Sequence, residues 1–195
     1  MKRIAVYCGS NLGIDEQYQL ATQNMARALV ELNIELVFGG GRVGLMGVLA
    51  DSMLSLGGKV TGVIPKGLST DEVAHNGVTT LITVTDMHER KAKMMGLADA
   101  IISLPGGIGT MDELFEAWTW YQLGIHDKRL GLFNVEGYFD GLIAYLSNMV
   151  KTGFLSQKHL DSLYVDSCER KLINKVLSVE KRGFPTPWIS GESST

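Results

Sequence analysis

The chain has 195 residues, 45% apolar and 20% charged, with a formal net charge of −3. That length suits a single domain with a sizeable core, and the composition excludes a disordered chain. The mild acidity argues against general affinity for nucleic acid or membrane surfaces, and no apolar run approaches the ~20 residues of a membrane span.

In chain order, continuous apolar runs alternate with helical patterns. RIAVYC (3–8) reads as the first strand, after which Tyr18, Ala21, Met25, Ala28, Leu29 and Leu32 recur at helical spacing. IELVFG (34–39) is the second strand, followed by the helical set Leu45, Met46, Leu49, Met53 and Leu56. KVTGVIP (59–65) and TTLITVT (79–85) are the third and fourth, and Met87, Met94, Met95 and Ala98 mark a helix after them. AIISLP (100–105) is the fifth. RLGLFN (129–134) is the sixth, with Leu142, Tyr145, Leu146 and Met149 at helical spacing beyond it, and LYVD (163–166) is a weaker seventh. Strands without polar alternation are covered on both faces, and strand–helix alternation builds right-handed βαβ units. The expected fold class is α/β: a doubly wound, mainly parallel sheet of six or seven strands flanked by helices, in one domain over residues 1–182. The Pro-, Gly- and Ser-rich tail 183–195 is expected to be partly disordered. Two cysteines, Cys8 and Cys168, are too few for a disulfide framework and read as reduced thiols of a cytoplasmic protein. The basic start, MKRIAVYCGS, is too short in apolar residues for a signal-peptide core.

Ligands of such sheets gather where strands end and helices begin. CGSN leaves the first strand, GGGRVGLMG the second, TDMHERK the fourth and LPGGIGT the fifth, so the chemistry is expected among these, with Ser10 and Gly41 as candidate substrate contacts. Gly39, Gly41 and Gly44 match G-x-G-x-x-G. However, VTGVIPKG (60–67) offers no acid for a ribose hydroxyl, and the turn follows the second strand instead of the first. NAD is disfavoured, and no cofactor is expected. These glycines serve either anion approach or helix packing.

LPGGIGT is a sharper signal. Its glycines admit close approach, Thr110 reads as the N-cap of the next helix, and free amides at a helix start attract an anion. The spacing lacks G-x-x-x-x-G-K-[ST], which points to a monophosphate rather than a triphosphate with magnesium. Glu113 has two readings: the far end of a T-x-x-E capping box with Thr110, or a carboxylate facing the ligand. In TDMHERK, Asp86 or Thr85 caps a helix whose first turn carries Arg90 and Lys91 against the dipole, a placement that makes sense if they face an anion or a carboxylate. His88 reads as a surface or cap residue, and no His/Cys cluster at metal spacing occurs.

PGGIGTMDE (105–113) fits P-G-G-x-G-T-x-x-E. With GGGRVGLMG (39–47), MHERK (87–91) and WYQLGIHDKRLGLFNVEGYFD (120–140), it resembles the LOG ("Lonely Guy") family of cytokinin riboside 5′-monophosphate phosphoribohydrolases, formerly described as lysine decarboxylases. The similarity runs over residues 2–154. It implies a Rossmann-like fold, a homodimer, and hydrolysis of the N-glycosidic bond of AMP or N6-substituted AMP to free base and ribose 5-phosphate. It further implies catalytic roles for Arg90 and Glu113 and nucleotide-site roles for Glu72 and Lys91. The implied phosphate loop runs through Gly106, Gly107, Ile108, Gly109, Thr110, Met111 and Asp112. Ile108 stands where plant members often have tyrosine, and KGLSTDEVAHNG (66–77) is only loosely plant-like, which leaves the preferred base open. A non-catalytic nucleotide or cofactor carrier would share the glycine turns without needing Arg90 and Glu113 together. Decarboxylation through pyridoxal phosphate lacks its Schiff-base block. Trp118, Trp120 and Tyr121 suit core and interface equally.

Overall fold

A computed structural model describes residues 1–70 and 73–178. The apolar runs become β1 (Lys2–Tyr7), β2 (Ile34–Phe38), β3 (Val60–Pro65), β4 (Thr80–Val84), β5 (Ala100–Ser103), β6 (Arg129–Phe133) and β7 (Leu163–Asp166). These seven strands pair in parallel throughout, in the order β4-β3-β2-β1-β5-β6-β7. The helices are α1 (Glu16–Glu31), α2 (Gly44–Ser55), α3 (Met87–Leu97), α4 (Ile108–Gln122), α5 (Asp140–Lys151), the short α6 (Gln157–Leu160) and α7 (Glu169–Leu177). The expected tail 183–195 lies outside the described residues.

Alternation along the buried strands divides the core in two. Ile4, Val6, Leu36 and Phe38 face α1, α2 and α7 through Met25, Leu49 and Leu172. Ala5, Tyr7, Val37 and Ile101 face α3, α4 and α5 through Met94, Leu114 and Leu146. Each fully buried Leu, Ile, Met or Phe contributes roughly 1.5–3 kcal/mol, so both layers hold the sheet in place. Trp118 and Tyr121 belong to the second layer, and the Trp118 indole N–H donates to Ser162 Oγ at 3.1 Å. Those two are core residues; Trp120 is half-buried.

The sheet grows outward from β1 to β4, then returns to place β5 on the other side of β1. That reversal opens a crevice above the C-terminal ends of β1 and β5. The return helix α3 crosses the face of the inner strands, and this carries its first turn from the sheet's edge toward the crevice. Asp86 is its cap: its side chain accepts the Glu89 N–H at 2.9 Å, while Glu89 accepts the Thr85 N–H at 2.7 Å.

Candidate active site

A cavity of about 710 Å³ fills the crevice. That volume is within the ordinary range of small-molecule sites, roughly 300–1,000 Å³. Cys8, Gly9 and Ser10 from the β1 exit, Gly39 and Gly41 from the β2 exit, and Gly106, Gly107, Ile108, Gly109, Thr110 and Glu113 from the β5 exit line it. Arg90 enters from α3.

Arg90 and Glu113 are 23 residues apart in the chain and meet in this cavity: Nη1 donates to Glu113 Oε1 at 2.8 Å. Both are buried, at 9% and 8% exposure. Arg90 Nε also donates to the Val63 carbonyl at 3.2 Å, which anchors the guanidinium against β3. Burial pushes the Glu113 carboxyl above the ordinary carboxylate range, and the Arg90 cation opposes that rise. Gly39 makes room for the pair: a Cβ there would stand 1.9 Å from Arg90 Nη2. Gly44 begins α2 at φ +58° with its Cα against the Ser10 backbone. The G-x-G-x-x-G turn therefore serves both side-chain approach and packing.

The helix start differs from the sequence expectation. Gly107 is the N-cap, with extended backbone (φ −87°, ψ −153°), and α4 begins at Ile108, two positions before Thr110. Thr110 sits inside the first turn, buried against the Gly106 backbone, and it caps nothing. The Thr110–Glu113 capping box does not form, because the helix start precedes it and a buried cation offers Glu113 a stronger charge-assisted partner than a backbone amide. The amides of the first turn have no carbonyl one turn back to receive them, so they remain donors toward the cavity end.

Three residues of the expected loop and helix lie elsewhere. Lys91 Nζ pairs with Asp112 Oδ2 and Glu116 Oε2, each at 3.1 Å, on the outer side of α4. Burial works against its charge, but Glu116 and Asp112 outweigh that and hold its pKa above the usual lysine value. Met111 and Asp112 border a shallow surface groove with Ile108, Phe115, Glu116 and Trp120. Lys91, Met111 and Asp112 thus fall outside the cavity lining, since successive residues of α3 and α4 point to different sides of each helix. Glu72 lies outside the described residues. Its neighbours Val73, Ala74 and His75 fold onto the β2 exit: Arg42 N–H donates to Val73 O and His75 N–H to Gly40 O, both at 2.9 Å, and His75 Nε2 meets Asp51 Oδ1 at 2.9 Å. This places Val73, with Ile64, Leu68, Val43 and Met46, in an apolar wall of the cavity. His88 is exposed. Burial pushes the Cys8 thiol far above its ordinary value, which leaves it no thiolate for nucleophilic work.

Tyr18 and Tyr138 also line the cavity, and sequence reasoning assigned neither of them a role there. Tyr138 lies in NVEGYFD at the exit of β6, and the pairing of β6 beside β5 brings that exit to the same sheet edge.

A model of the family described as "possible lysine decarboxylase" matches residues 46–176. The Arabidopsis thaliana cytokinin riboside 5′-monophosphate phosphoribohydrolase LOG1 is 43% identical over 90% of this chain and 82% of its own length. LOG2 of the same plant is 48% identical over 80% of this chain and 73% of its own length. The chain belongs to the LOG family. Among solved structures, the molybdenum cofactor binding protein of Rippkaea orientalis is similar with a TM-score of 0.68, at 18% identity over 92% of this chain and 98% of that one, a likeness of fold alone. The segment PGGIGTMDE (105–113) forms the β5 exit and the first turns of α4, and its last residue is the carboxylate bonded to Arg90.

Proposed function

We propose that this protein hydrolyses the N-glycosidic bond of adenosine 5′-monophosphate or its N6-substituted forms, releasing the free base and ribose 5-phosphate. The observation that carries this reading is the buried Arg90–Glu113 pair inside the cavity and beside the glycine turn that opens α4. Its LOG relatives, named as phosphoribohydrolases, support it.

The phosphate sits at the amides of Gly107, Ile108 and Gly109, with the Thr110 side chain closing the turn behind them. Holding the phosphate spends binding energy away from the reacting bond, which orients the ribose. As the base departs, positive charge builds on the sugar ring. The Glu113 carboxylate stabilises that charge and takes a proton from the attacking water, whose oxygen bonds to C1′ while the C1′–N bond breaks. The base leaves with a proton, so water is divided between the two products. Arg90 keeps Glu113 ionised and aimed despite its burial. The apolar wall of Val43, Met46, Ile64, Leu68 and Val73 suits a flat base carrying an apolar N6 group.

The functional unit is a homodimer that covers the groove of Ile108, Met111, Phe115 and Trp120 on the outer side of α4, and its compartment is the cytoplasm. No helix among the described residues is long and apolar enough to cross a membrane. The test is a panel of AMP, N6-isopentenyl-AMP, GMP, CMP and the free nucleosides, read for free base and ribose 5-phosphate. Monophosphates should turn over far faster than nucleosides, and Glu113→Gln should lower turnover by about 10²–10⁴ with the fold intact. Tight nucleotide binding without base release would favour a carrier instead.

A further inference from the structure

The glycine turn has two consecutive carbonyls that would repel a phosphate if they faced it, and the structure gives each its own donor. Pro105 O accepts the Gly9 N–H at 3.0 Å, and Gly106 O accepts the Tyr138 hydroxyl at 2.6 Å. In a trans peptide the C=O and the following N–H point in opposite directions, so fixing one fixes the other. Glycine peptides flip readily, because glycine populates both signs of φ. Close packing also surrounds Gly106, where a Cβ would stand 2.1 Å from Thr110 Oγ1 and 2.7 Å from Gly9 N. Gly107 has no such neighbour: nothing lies within 4 Å of its would-be Cβ. The Gly107 carbonyl accepts the Met111 N–H at 3.2 Å as α4 begins, and the carbonyl of the peptide joining Gly106 to Gly107 is held by the Tyr138 hydroxyl.

Tyr138 is itself well placed for that task. It follows the short helical turn Val135–Gly137 at the β6 exit, and its ring meets Tyr18 edge-on at 5.7 Å and Phe139 at 5.0 Å. These contacts orient the partly exposed ring and, with it, the hydroxyl. We propose that Tyr138 is a positioning residue for the phosphate subsite: its hydroxyl holds the Gly106 carbonyl away from the anion and so keeps the Gly107 N–H turned toward it. This rests on the reading of the site given above.

The test is Tyr138→Phe, which keeps the ring and its aromatic contacts and removes only the hydrogen bond. The KM for AMP and the inhibition constant of ribose 5-phosphate should rise roughly 5- to 20-fold, with kcat within about threefold and turnover of adenosine unchanged. Unchanged KM and inhibition constant would overturn the proposal, as would an equal loss for AMP and adenosine, which would make Tyr138 a contact of the base or sugar. Calorimetric titration of wild-type and Tyr138→Phe protein with ribose 5-phosphate separates the two readings. If wild type fails to hydrolyse AMP but binds ribose 5-phosphate more tightly than the variant, the carbonyl pin stands and the reaction assignment falls. If wild type shows no binding of ribose 5-phosphate at millimolar concentration, the pin falls too.

Discussion

Replacing Arg90 by Met strips a buried carboxylate of its cation while filling much of the same space. At the 2.8 Å separation of Arg90 Nη1 and Glu113 Oε1, the gross Coulomb attraction is about 6 kcal/mol at an effective dielectric of ~20. The side chains are only 11% and 10% exposed, so solvent screens the pair little. The full value is not lost, because an abandoned Glu113 takes up a proton instead of staying charged. A double-mutant cycle with Arg90→Met and Glu113→Gln should thus give a coupling energy of about 2–4 kcal/mol at neutral pH by urea denaturation. The pH dependence carries a definite sign. In Arg90→Met the folded-state pKa of Glu113 rises further above its unfolded value, so the folded chain binds a proton that the unfolded chain releases. Stability then falls as pH rises above about 4.3, the ordinary glutamate value, and the deficit relative to wild type is larger at pH 8 than at pH 5. A coupling below ~0.5 kcal/mol, or a deficit that shrinks as pH rises, would refute the view that the two charges stabilise each other in a desolvated site.

Three further outcomes are expected. The acid limb of kcat/KM for AMP should lie above the ordinary carboxylate range, since burial raises Glu113, and activity should fall as pH drops through that limb; a limb at an unperturbed carboxylate pKa would remove Glu113 as the base. Gly39→Ala places a methyl where Arg90 Nη2 now sits, so it should retain the circular dichroism of the fold and lose at least about tenfold in kcat/KM, whereas wild-type kinetics would show that Arg90 need not occupy that position. The Ser103 hydroxyl is fully buried without a hydrogen-bond partner, and Ser103→Ala should raise unfolding free energy by about 1 kcal/mol; a measured loss would reveal a bond that the hydroxyl makes.

The strands were legible because both layers of helices bury them, which forces continuous apolar runs that the order of residues exposes. RIAVYC, IELVFG and KVTGVIP each lie within a residue of β1, β2 and β3. The start of α4 was less legible: Thr110 looks like a cap by residue type, yet the turn through Pro105, Gly106 and Gly107 lets the helix begin earlier and buries the threonine. Lys91 and Asp112 share motifs with Arg90 and Glu113, but a rotation of about 100° per residue turns them away from the cavity and into an ion pair between α3 and α4. Tyr138 was not legible because its strand exit carries no glycine-rich turn, and only the adjacency of β6 to β5 brings it over the Gly106 carbonyl.

By itself, the order of residues determined the strand–helix alternation, the α/β class and the short segments able to bear chemistry, because periodicity and glycine content are local properties. Only the tertiary structure decided which of those segments meet. Arg90 follows an edge strand and Glu113 a central one; they share a hydrogen bond because the crossover from β4 to β5 lays α3 back across the sheet, and no local signal records that distance.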